Sequence, residues 1–208
     1  MAEYQTGLWL AEAPLILASG SRTRAELLAS AGLAAQIVRP SVDERAIETE
    51  AQGLSPSDLA RRLAQAKARE VAERHPGRMT IGADQVLDLD GEVFHKPADL
   101  GEARTHLSRL RGRTHALHSA VAIVGDGIGE VFHETAHLTM RALGAEAIEA
   151  YLALAGEDRV TSSVGGYQLE GPGIHLFERV EGDHSTVLGL PLIPLLARLR
   201  AMGLLAIA

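Results

Sequence analysis

The chain has 208 residues, of which 46% are hydrophobic and 23% are charged, and its formal net charge is −7 at pH 7. These values are typical of a globular protein with one domain, or one domain with two lobes, and the acidic balance argues against a nucleic-acid-binding protein with a basic face. The sequence contains no cysteine, which excludes disulfides and thiolate metal sites and fits a cytoplasmic location.

The first elements predicted are a short strand, a helix and a second strand. Leu15–Ala18 is an apolar run typical of a buried strand, and the residues Ser-Gly-Ser at 19–21 indicate a turn. A helix is predicted from Arg24 to Ala31 and ends at Gly32, a residue favoured just after a helix. The second strand lies within residues 34–40 and ends at a proline.

The middle of the chain predicts a long helix followed by a hairpin. Residues 41–54 are polar and are predicted to form a loop with a short helical turn. Ser57 is the expected cap of the helix that follows, and Pro76-Gly77 ends it. Asp90-Gly91, between two strand-like runs, is typical of a hairpin turn.

The second half continues the alternation of helices and strands. Helices are predicted within residues 99–112 and 144–156, and two long strands lie between them around a glycine-rich turn. Glycine-rich loops, one strand and a final helix follow. Arg198 and Arg200 interrupt the apolar C-terminal stretch, so it is predicted to be a buried helix without a membrane role. The N-terminal residues lack the basic region of a signal peptide. The predicted class is α/β with a mixed sheet.

Residues 133–137 read His-Glu-Thr-Ala-His, which matches the zinc-binding pattern HExxH. That pattern binds zinc only on a helix, where both histidines share a face. Apolar residues at alternate positions 132, 136, 138 and 140 predict a strand instead. In a strand the two histidines lie about 13 Å apart, which is too far for one zinc ion. A zinc peptidase is therefore the least favoured of the functional hypotheses, and retained activity in His133→Ala would remove it.

The segment from Ser19 to Arg24 places two arginines at the start of a helix. A helix N-terminus already carries about half a positive charge and unpaired N–H donors. Additional cations there indicate an anion such as a phosphate group. The alternative is a solvated helix start, and for Arg22 the two interpretations are balanced.

Eight short motifs occur in a fixed order between about residues 15 and 199: ASGSRTR, SVDE, LAQAKA, GADQVLDLDG, HKP, LRGRTH, GGYQLEG and GLPL. Together they resemble the Maf family of nucleoside triphosphate pyrophosphatases, also called septum formation inhibitor proteins. The resemblance implies one domain over residues 1–208, with an elongated mixed sheet, flanking helices and two lobes around a cleft. It also implies a homodimer and hydrolysis of standard or methylated nucleoside triphosphates to the monophosphate and pyrophosphate, with Mg²⁺ or Mn²⁺.

The resemblance assigns roles to individual residues. Asp84 corresponds to the proton acceptor that activates water, although an aspartate beside a metal can equally be its ligand. Glu44 is the better candidate for the metal ligand, and Asp43 is interpreted as structural. Five side chains are expected to bind the phosphates: Ser19, Ser21, Arg24, Lys67 and Lys96.

Three further residues lie where the family varies with its substrate: Thr23, Gln85 and Glu170. The motifs that contain Gln85 and Glu170 are similar to those of the branch that acts on 7-methyl-GTP. A carboxylate such as that of Glu170 can accept hydrogen bonds from the N–H groups of guanine. Thr23 stands where an aromatic residue is expected, so a broad substrate range is the first prediction. The alternative function is a nucleotide-binding regulator of septum formation or cell division with little turnover.

Overall fold

The computed structural model describes residues 7–125 and 127–207, and within them seven strands form one mixed sheet. The strand order is β2-β1-β3-β5-β6-β7, and β4 pairs with the outer end of β3. β1 is parallel to both β2 and β3, whereas the other pairings are antiparallel. The strands are β1 Leu15–Ala18, β2 Ala35–Val38, β3 Thr80–Leu89, β4 Glu92–Phe94, β5 Thr114–Gly125, β6 Ile128–Met140 and β7 Phe177–Glu181.

Eight α-helices flank the sheet within the described residues. They are α1 Arg22–Ser30, α2 Glu44–Glu50, α3 Pro56–Arg74, α4 Leu100–Leu110, α5 Ala145–Ala155, α6 Glu157–Thr161, α7 His184–Val187 and α8 Leu192–Ala201. Two 3₁₀ turns, Val164–Gly166 and Pro172–Leu176, connect α6 to β7. None of the helices in this part of the chain combines the length and the apolar character needed to cross a membrane. The predicted α/β class with a mixed sheet is confirmed.

Helix starts differ from the predictions because side-chain caps decide them. The Ser21 hydroxyl accepts a hydrogen bond from the Arg24 N–H at 3.3 Å, so α1 already begins at Arg22. The predicted cap Ser57 is wrong. Ser55 caps α3 by accepting from the Asp58 N–H at 3.1 Å, because Pro56 then occupies the first helical position, where its missing N–H costs nothing.

The polar stretch before α3 forms a complete helix, α2, of seven residues. The prediction for this stretch, a loop with a short helical turn, is wrong in length, because the helix has about two turns. Asp43 caps this helix by accepting from the Ala46 N–H at 3.0 Å, which agrees with its structural interpretation. Glu44 is therefore the first helical residue of α2.

The predicted hairpin and the predicted strand at residues 133–137 are confirmed. Asp90 and Gly91 have φ values of 54° and 87°, the left-handed pair that a two-residue hairpin turn of type I′ requires. His133 and His137 both lie in β6, opposite Ala120 and Ala116 of β5. The glycine-rich turn between β5 and β6 includes position 126, which lies outside the described residues.

Helix α3 packs unusually close to one face of the sheet. Its small residues Ala60, Ala64 and Ala68 form a buried cluster with side chains of β3 and β5. A Cβ atom built on Gly82 of β3 would lie 2.4 Å from the Ala64 carbonyl oxygen and 2.6 Å from the Ala68 nitrogen. Glycine at position 82 thus permits the approach, which brings Lys67 of α3 towards the sheet.

The other face of the sheet carries two separate hydrophobic cores, which correspond to the two predicted lobes. The first core, packed under α4 and α5, includes Leu87, Leu107, Leu117 and Leu152. The second core, packed under α1 and α8, includes Leu28, Ile81, Val121 and Leu195. Two polar residues lie on this face between the two cores. On β3, Gln85 lies between Ala83 of the second core and Leu87 of the first. On β5, Ser119 lies between Leu117 of the first core and Val121 of the second.

We predict that Gly82→Ala destabilises the protein by roughly 1–3 kcal/mol, because the added methyl group overpacks the contact between α3 and β3. The measurement is urea unfolding. The matched control is Gly129→Ala in β6, where a Cβ would meet no atom within 4 Å. Equal unfolding free energies for the two variants would contradict the close approach of α3.

Candidate active site

A buried cluster of opposite charges forms where α2, α3 and β3 meet. The ammonium nitrogen of Lys67 lies 2.5 Å from Asp84 Oδ1 and 3.0 Å from Glu44 Oε1. The side chains of Lys67 and Asp84 are only 9% and 10% exposed, whereas that of Glu44 is half exposed. The two predicted metal ligands are thus brought together, and the Lys67 ammonium lies between them.

Arg24 reaches the same region from the first turn of α1. Its Nε donates to the Gly189 carbonyl oxygen at 2.8 Å, and its Nη1 donates to the Ala83 carbonyl oxygen at 2.9 Å. Nη1 also lies 3.4 Å from the Ser19 hydroxyl. These bonds hold the guanidinium in one orientation beside the residue that precedes Asp84. Its second terminal nitrogen, Nη2, has no such bond among the described residues.

Burial and neighbouring charges act against each other in this cluster. Burial raises the pKa of Asp84 above the ordinary value of an aspartate, although Lys67 and Arg24 oppose the shift by favouring the charged form. Burial likewise lowers the pKa of the Arg24 guanidinium, and the charges of Asp84 and Glu44 oppose it. Asp84 is therefore a stronger base than an exposed aspartate, and it is surrounded by cations.

The serines at the start of α1 prepare its N-terminus. Ser19 is 4% exposed, and its hydroxyl accepts from the Ser21 N–H at 3.1 Å. The Ser21 hydroxyl in turn caps the helix. The structure thus places Ser19, Ser21 and Arg24 together, at the end of β1 and close to Asp84.

Two of the predicted specificity residues meet although they are far apart in sequence. The Thr23 hydroxyl donates to Glu170 Oε1 at 3.3 Å, and the contact is exposed. Thr23 belongs to α1, which packs on the second core, whereas Leu169 beside Glu170 belongs to the first core. The contact therefore bridges the two lobes.

Two cations of the motifs lie outside the buried cluster. Lys96 is exposed, and no ion pair with it is found among the described residues. Its neighbour His95 lies 3.8 Å from Glu48 of α2, the helix that carries Glu44. Arg22 is 91% exposed and pairs with Glu26, as a solvated helix start would.

Comparison with known proteins identifies the family of this chain. The sequence model of a family described as "Maf-like protein" matches residues 14–202. The chain belongs to the Maf family.

Curated relatives match nearly the whole chain. A "Nucleoside triphosphate pyrophosphatase" of Nitrobacter hamburgensis is 54% identical and covers 96% of this chain and 99% of that protein. One of the same name from Rhodopseudomonas palustris is 52% identical, with coverage of 96% and 98%. A "7-methyl-GTP pyrophosphatase" of Mesorhizobium japonicum is 53% identical, with coverage of 91% and 96%. The resemblance found in the eight motifs is confirmed.

In this Maf family member, Arg24 has a further partner that the sequence motifs do not indicate. The motif GLPL begins at Gly189, whose carbonyl oxygen holds Arg24. Gly189 has a φ of 89°, and a Cβ there would lie 3.2 Å from Arg24 Nη2. A glycine followed by Leu-Pro indicates a turn. No sequence pattern, however, indicates which guanidinium donates a hydrogen bond to the carbonyl oxygen of that glycine.

Within the described residues, no group of three or more histidine, aspartate or glutamate side chains could hold a metal ion. His133 and His137 thus belong to no such group. The carboxylates of Glu44 and Asp84 remain the acidic pair of this region, and both contact Lys67.

The loop that carries Glu170 is anchored by a buried hydrogen bond. His115 Nε2 lies 2.6 Å from the Tyr167 hydroxyl, and the two rings pack edge to face. The Tyr151 hydroxyl donates to the Gly166 carbonyl oxygen at 3.1 Å. Burial lowers the pKa of His115 to about 4. His115 lies outside the roles that the motifs assign, and its contacts with Tyr167 show that it supports this loop.

We predict that His115 makes the protein less stable as the pH falls from about 6.5 to about 4. Over that range the unfolded chain gains a proton that the folded protein does not bind, so the free energy of unfolding falls, by up to about 3 kcal/mol. In His115→Gln, which does not titrate, this part of the pH dependence should be lost. Urea unfolding at several pH values measures it.

The matched control is the exposed His175→Gln, which should keep the pH dependence of the unmodified protein. An identical pH dependence in His115→Gln would show that His115 does not cause the effect.

Proposed function

We propose that this protein hydrolyses nucleoside triphosphates between the α- and β-phosphates, releasing a nucleoside monophosphate and pyrophosphate. The observation that carries the proposal is the convergence of Arg24, Lys67, Asp84 and Glu44 from four separate elements. The relatives named nucleoside triphosphate pyrophosphatase, at about half identity over nearly the full length, support this reaction.

The phosphates bind where the positive groups of the cluster converge. The N-terminus of α1 supplies backbone N–H groups, and Arg24 supplies its remaining guanidinium N–H groups beside them. Lys67 and the exposed Lys96 neutralise further phosphate oxygens. Ser19 and Ser21 shape the turn and hold the helix start in place. Cations are needed here because negative charge develops on the leaving pyrophosphate.

The carboxylates fit a divalent cation that is bound together with the substrate. Mg²⁺ is usually held by one or two carboxylates and by substrate phosphates, with waters completing the shell. Glu44 and Asp84 would hold the cation, and the Lys67 ammonium that lies between them would bind the phosphates. The metal, Mg²⁺ or Mn²⁺, would neutralise phosphate charge.

Asp84 is the residue proposed to accept a proton from the attacking water. Its burial raises its pKa, which strengthens it as a base, and Lys67 and Arg24 still favour its ionised form. The same carboxylate is also placed to hold the cation, and both roles need it ionised.

The nucleobase lies towards the exposed contact between Thr23 and Glu170. The carboxylate of Glu170 accepts hydrogen bonds from guanine N–H groups, which favours guanine-type bases. The relative named 7-methyl-GTP pyrophosphatase supports a preference for guanine-type bases. The Nitrobacter hamburgensis relative is named for nucleoside triphosphates in general. The cytoplasmic location, which the absence of cysteine predicts, stays a prediction. So do the homodimer and the single domain over residues 1–208, which the family resemblance implies.

We predict that the purified protein with Mg²⁺ or Mn²⁺ releases pyrophosphate from nucleoside triphosphates, and that Asp84→Asn lowers kcat about 10²–10⁴-fold. The neutral amide can neither accept the water's proton nor bind a cation strongly. Pyrophosphate and monophosphate are quantified separately over a panel of standard and methylated nucleotides. Chelation with EDTA should abolish the reaction.

The matched control for Asp84→Asn is Asp88→Asn, on the same strand and the same face but outside the cluster. It should keep most of the activity, as should His133→Ala. Release of inorganic phosphate in place of pyrophosphate would contradict the proposed reaction. Tight nucleotide binding without product over hours would favour the alternative, a nucleotide-binding regulator.

We predict that Glu170→Gln changes the base preference. It should lower the ratio of kcat/KM for 7-methyl-GTP over UTP by about 10–100-fold, because a hydrogen bond to a charged group contributes about 1.5–3 kcal/mol. The exposed Glu178→Gln in β7 is the control. An unchanged ratio would place the base elsewhere.

A further inference from the structure

Gln85 follows Asp84 directly but points the other way. Side chains alternate along a strand, so Asp84 faces α3 and Lys67 whereas Gln85 faces the gap between the two cores. Its nearest partners come from β5 and from the segment around α7. The Gln85 side chain thus lies on the opposite face of the sheet from the Asp84 carboxylate and from Lys67.

The amide nitrogen of Gln85 is fully used by the protein. It donates to the Ser119 hydroxyl at 2.9 Å, to the Val187 carbonyl oxygen at 3.0 Å and to the Thr186 carbonyl oxygen at 3.2 Å. Carbonyl oxygens only accept hydrogen bonds, so these two neighbours fix which end of the amide is the NH₂ group. An NH₂ group has two hydrogens, and three acceptors share them.

Ser119 extends the same network. It is fully buried, and its hydroxyl donates to the Thr186 carbonyl oxygen at 2.7 Å. Gln85 and Ser119 therefore hold the backbone of α7 against the sheet from two adjacent strands. The carbonyl groups of Thr186 and Val187 lose these donors if the glutamine amide is removed.

The segment held in this way leads directly to Arg24. The chain turns at Gly189, two residues after Val187, and its carbonyl oxygen accepts from Arg24 Nε at 2.8 Å. A Cβ atom on Gly189 would lie 3.3 Å from Arg24 Nε and 3.6 Å from Gln85 Cδ. Gly189 is thus packed between the guanidinium and the glutamine amide.

We propose that Gln85 is a positioning residue for phosphate binding: it fixes α7 and Gly189, and through the Gly189 carbonyl oxygen it orients Arg24. This inference rests on the proposed function and assigns Gln85 to the phosphate end of the site and not to the nucleobase. Its removal frees the Gly189 turn, so the guanidinium loses one of its two backbone acceptors. The consequence falls on the triphosphate, which every substrate shares.

The first test is Gln85→Met, which keeps the length of the side chain and removes the donor. We expect kcat/KM to fall about tenfold for every nucleotide, which corresponds to one or two lost hydrogen bonds. The ratios between nucleotides of different bases should stay within about twofold, in contrast to Glu170→Gln. A change of more than about tenfold in a base ratio would overturn the proposal in favour of a base contact.

The second test is a double-mutant cycle with Arg24→Lys, which keeps the charge but cannot bind both carbonyl oxygens. If Gln85 acts through Arg24, Gln85→Met should cost less than about twofold in the Arg24→Lys background. Additive effects would overturn the proposal, because a general loss of stability would be felt in both backgrounds.

A third measurement does not depend on turnover. In the nucleotide-free protein, the Nε–H group of Arg24 should give a resolved NMR signal that exchanges slowly with water. Gln85→Met should speed that exchange at least about tenfold, whereas Glu178→Gln should not. If the unmodified protein released no pyrophosphate but this effect were seen, the proposed function would fall and the positioning of Arg24 would stand. An unchanged exchange rate would overturn the positioning itself.

Discussion

The ammonium of Lys67 and the carboxylate of Asp84 lie 2.5 Å apart, and both side chains are about nine-tenths buried. Removing such charges from water costs several kcal/mol for each ion. Because this cost offsets most of the attraction between the two charges, the buried pair adds little to the stability of the fold. Desolvated charges with specific partners are typical of functional sites. The close packing of α3 over Gly82 makes this contact possible, and Glu44 on α2 reaches the same ammonium from outside.

The cluster balances two cations against two carboxylates in the free protein. Arg24 and Lys67 face Asp84 and Glu44, so no member of the set is left as a lone buried charge. Under the proposed function, a triphosphate that arrives with a divalent cation would offer each side a new partner, because the phosphates attract the cations and the metal attracts the carboxylates. The same residues can thus satisfy one another before binding and bind the substrate afterwards, which avoids the cost of an unpaired charge in either state.

Sequence patterns predicted the parts of this structure that depend on local periodicity. The type I′ turn at Asp90-Gly91 and the strand through residues 133–137 follow from turn chemistry and from alternation. The motifs also indicated which charged side chains meet, although only through the family resemblance. Periodicity did not distinguish Ser55 from Ser57 as a cap, because both are serines and the choice depends on where Pro56 fits.

The contacts that sequence reasoning missed involve the backbone or bridge distant parts of the chain. Arg24 is held by carbonyl oxygens of Ala83 and Gly189, and every residue type carries a carbonyl group. The sequence therefore gives no sign of which carbonyl oxygen accepts the bond. The contact of Thr23 with Glu170 spans 147 positions and depends on how the two lobes are placed. Such contacts become visible only once the sheet order is known.

The two ends of the site are built with different rigidity. At the proposed phosphate end, Arg24 is fixed by two backbone acceptors and Lys67 by two carboxylates. At the other end, one exposed hydrogen bond of 3.3 Å joins Thr23 to Glu170 across the lobes. A preorganised group strengthens binding because little ordering remains to be done, whereas an exposed single contact can be replaced by a ligand at small cost. Affinity should therefore come mainly from the triphosphate shared by all substrates, and discrimination between bases should be limited to the few kcal/mol that one or two exchanged hydrogen bonds provide.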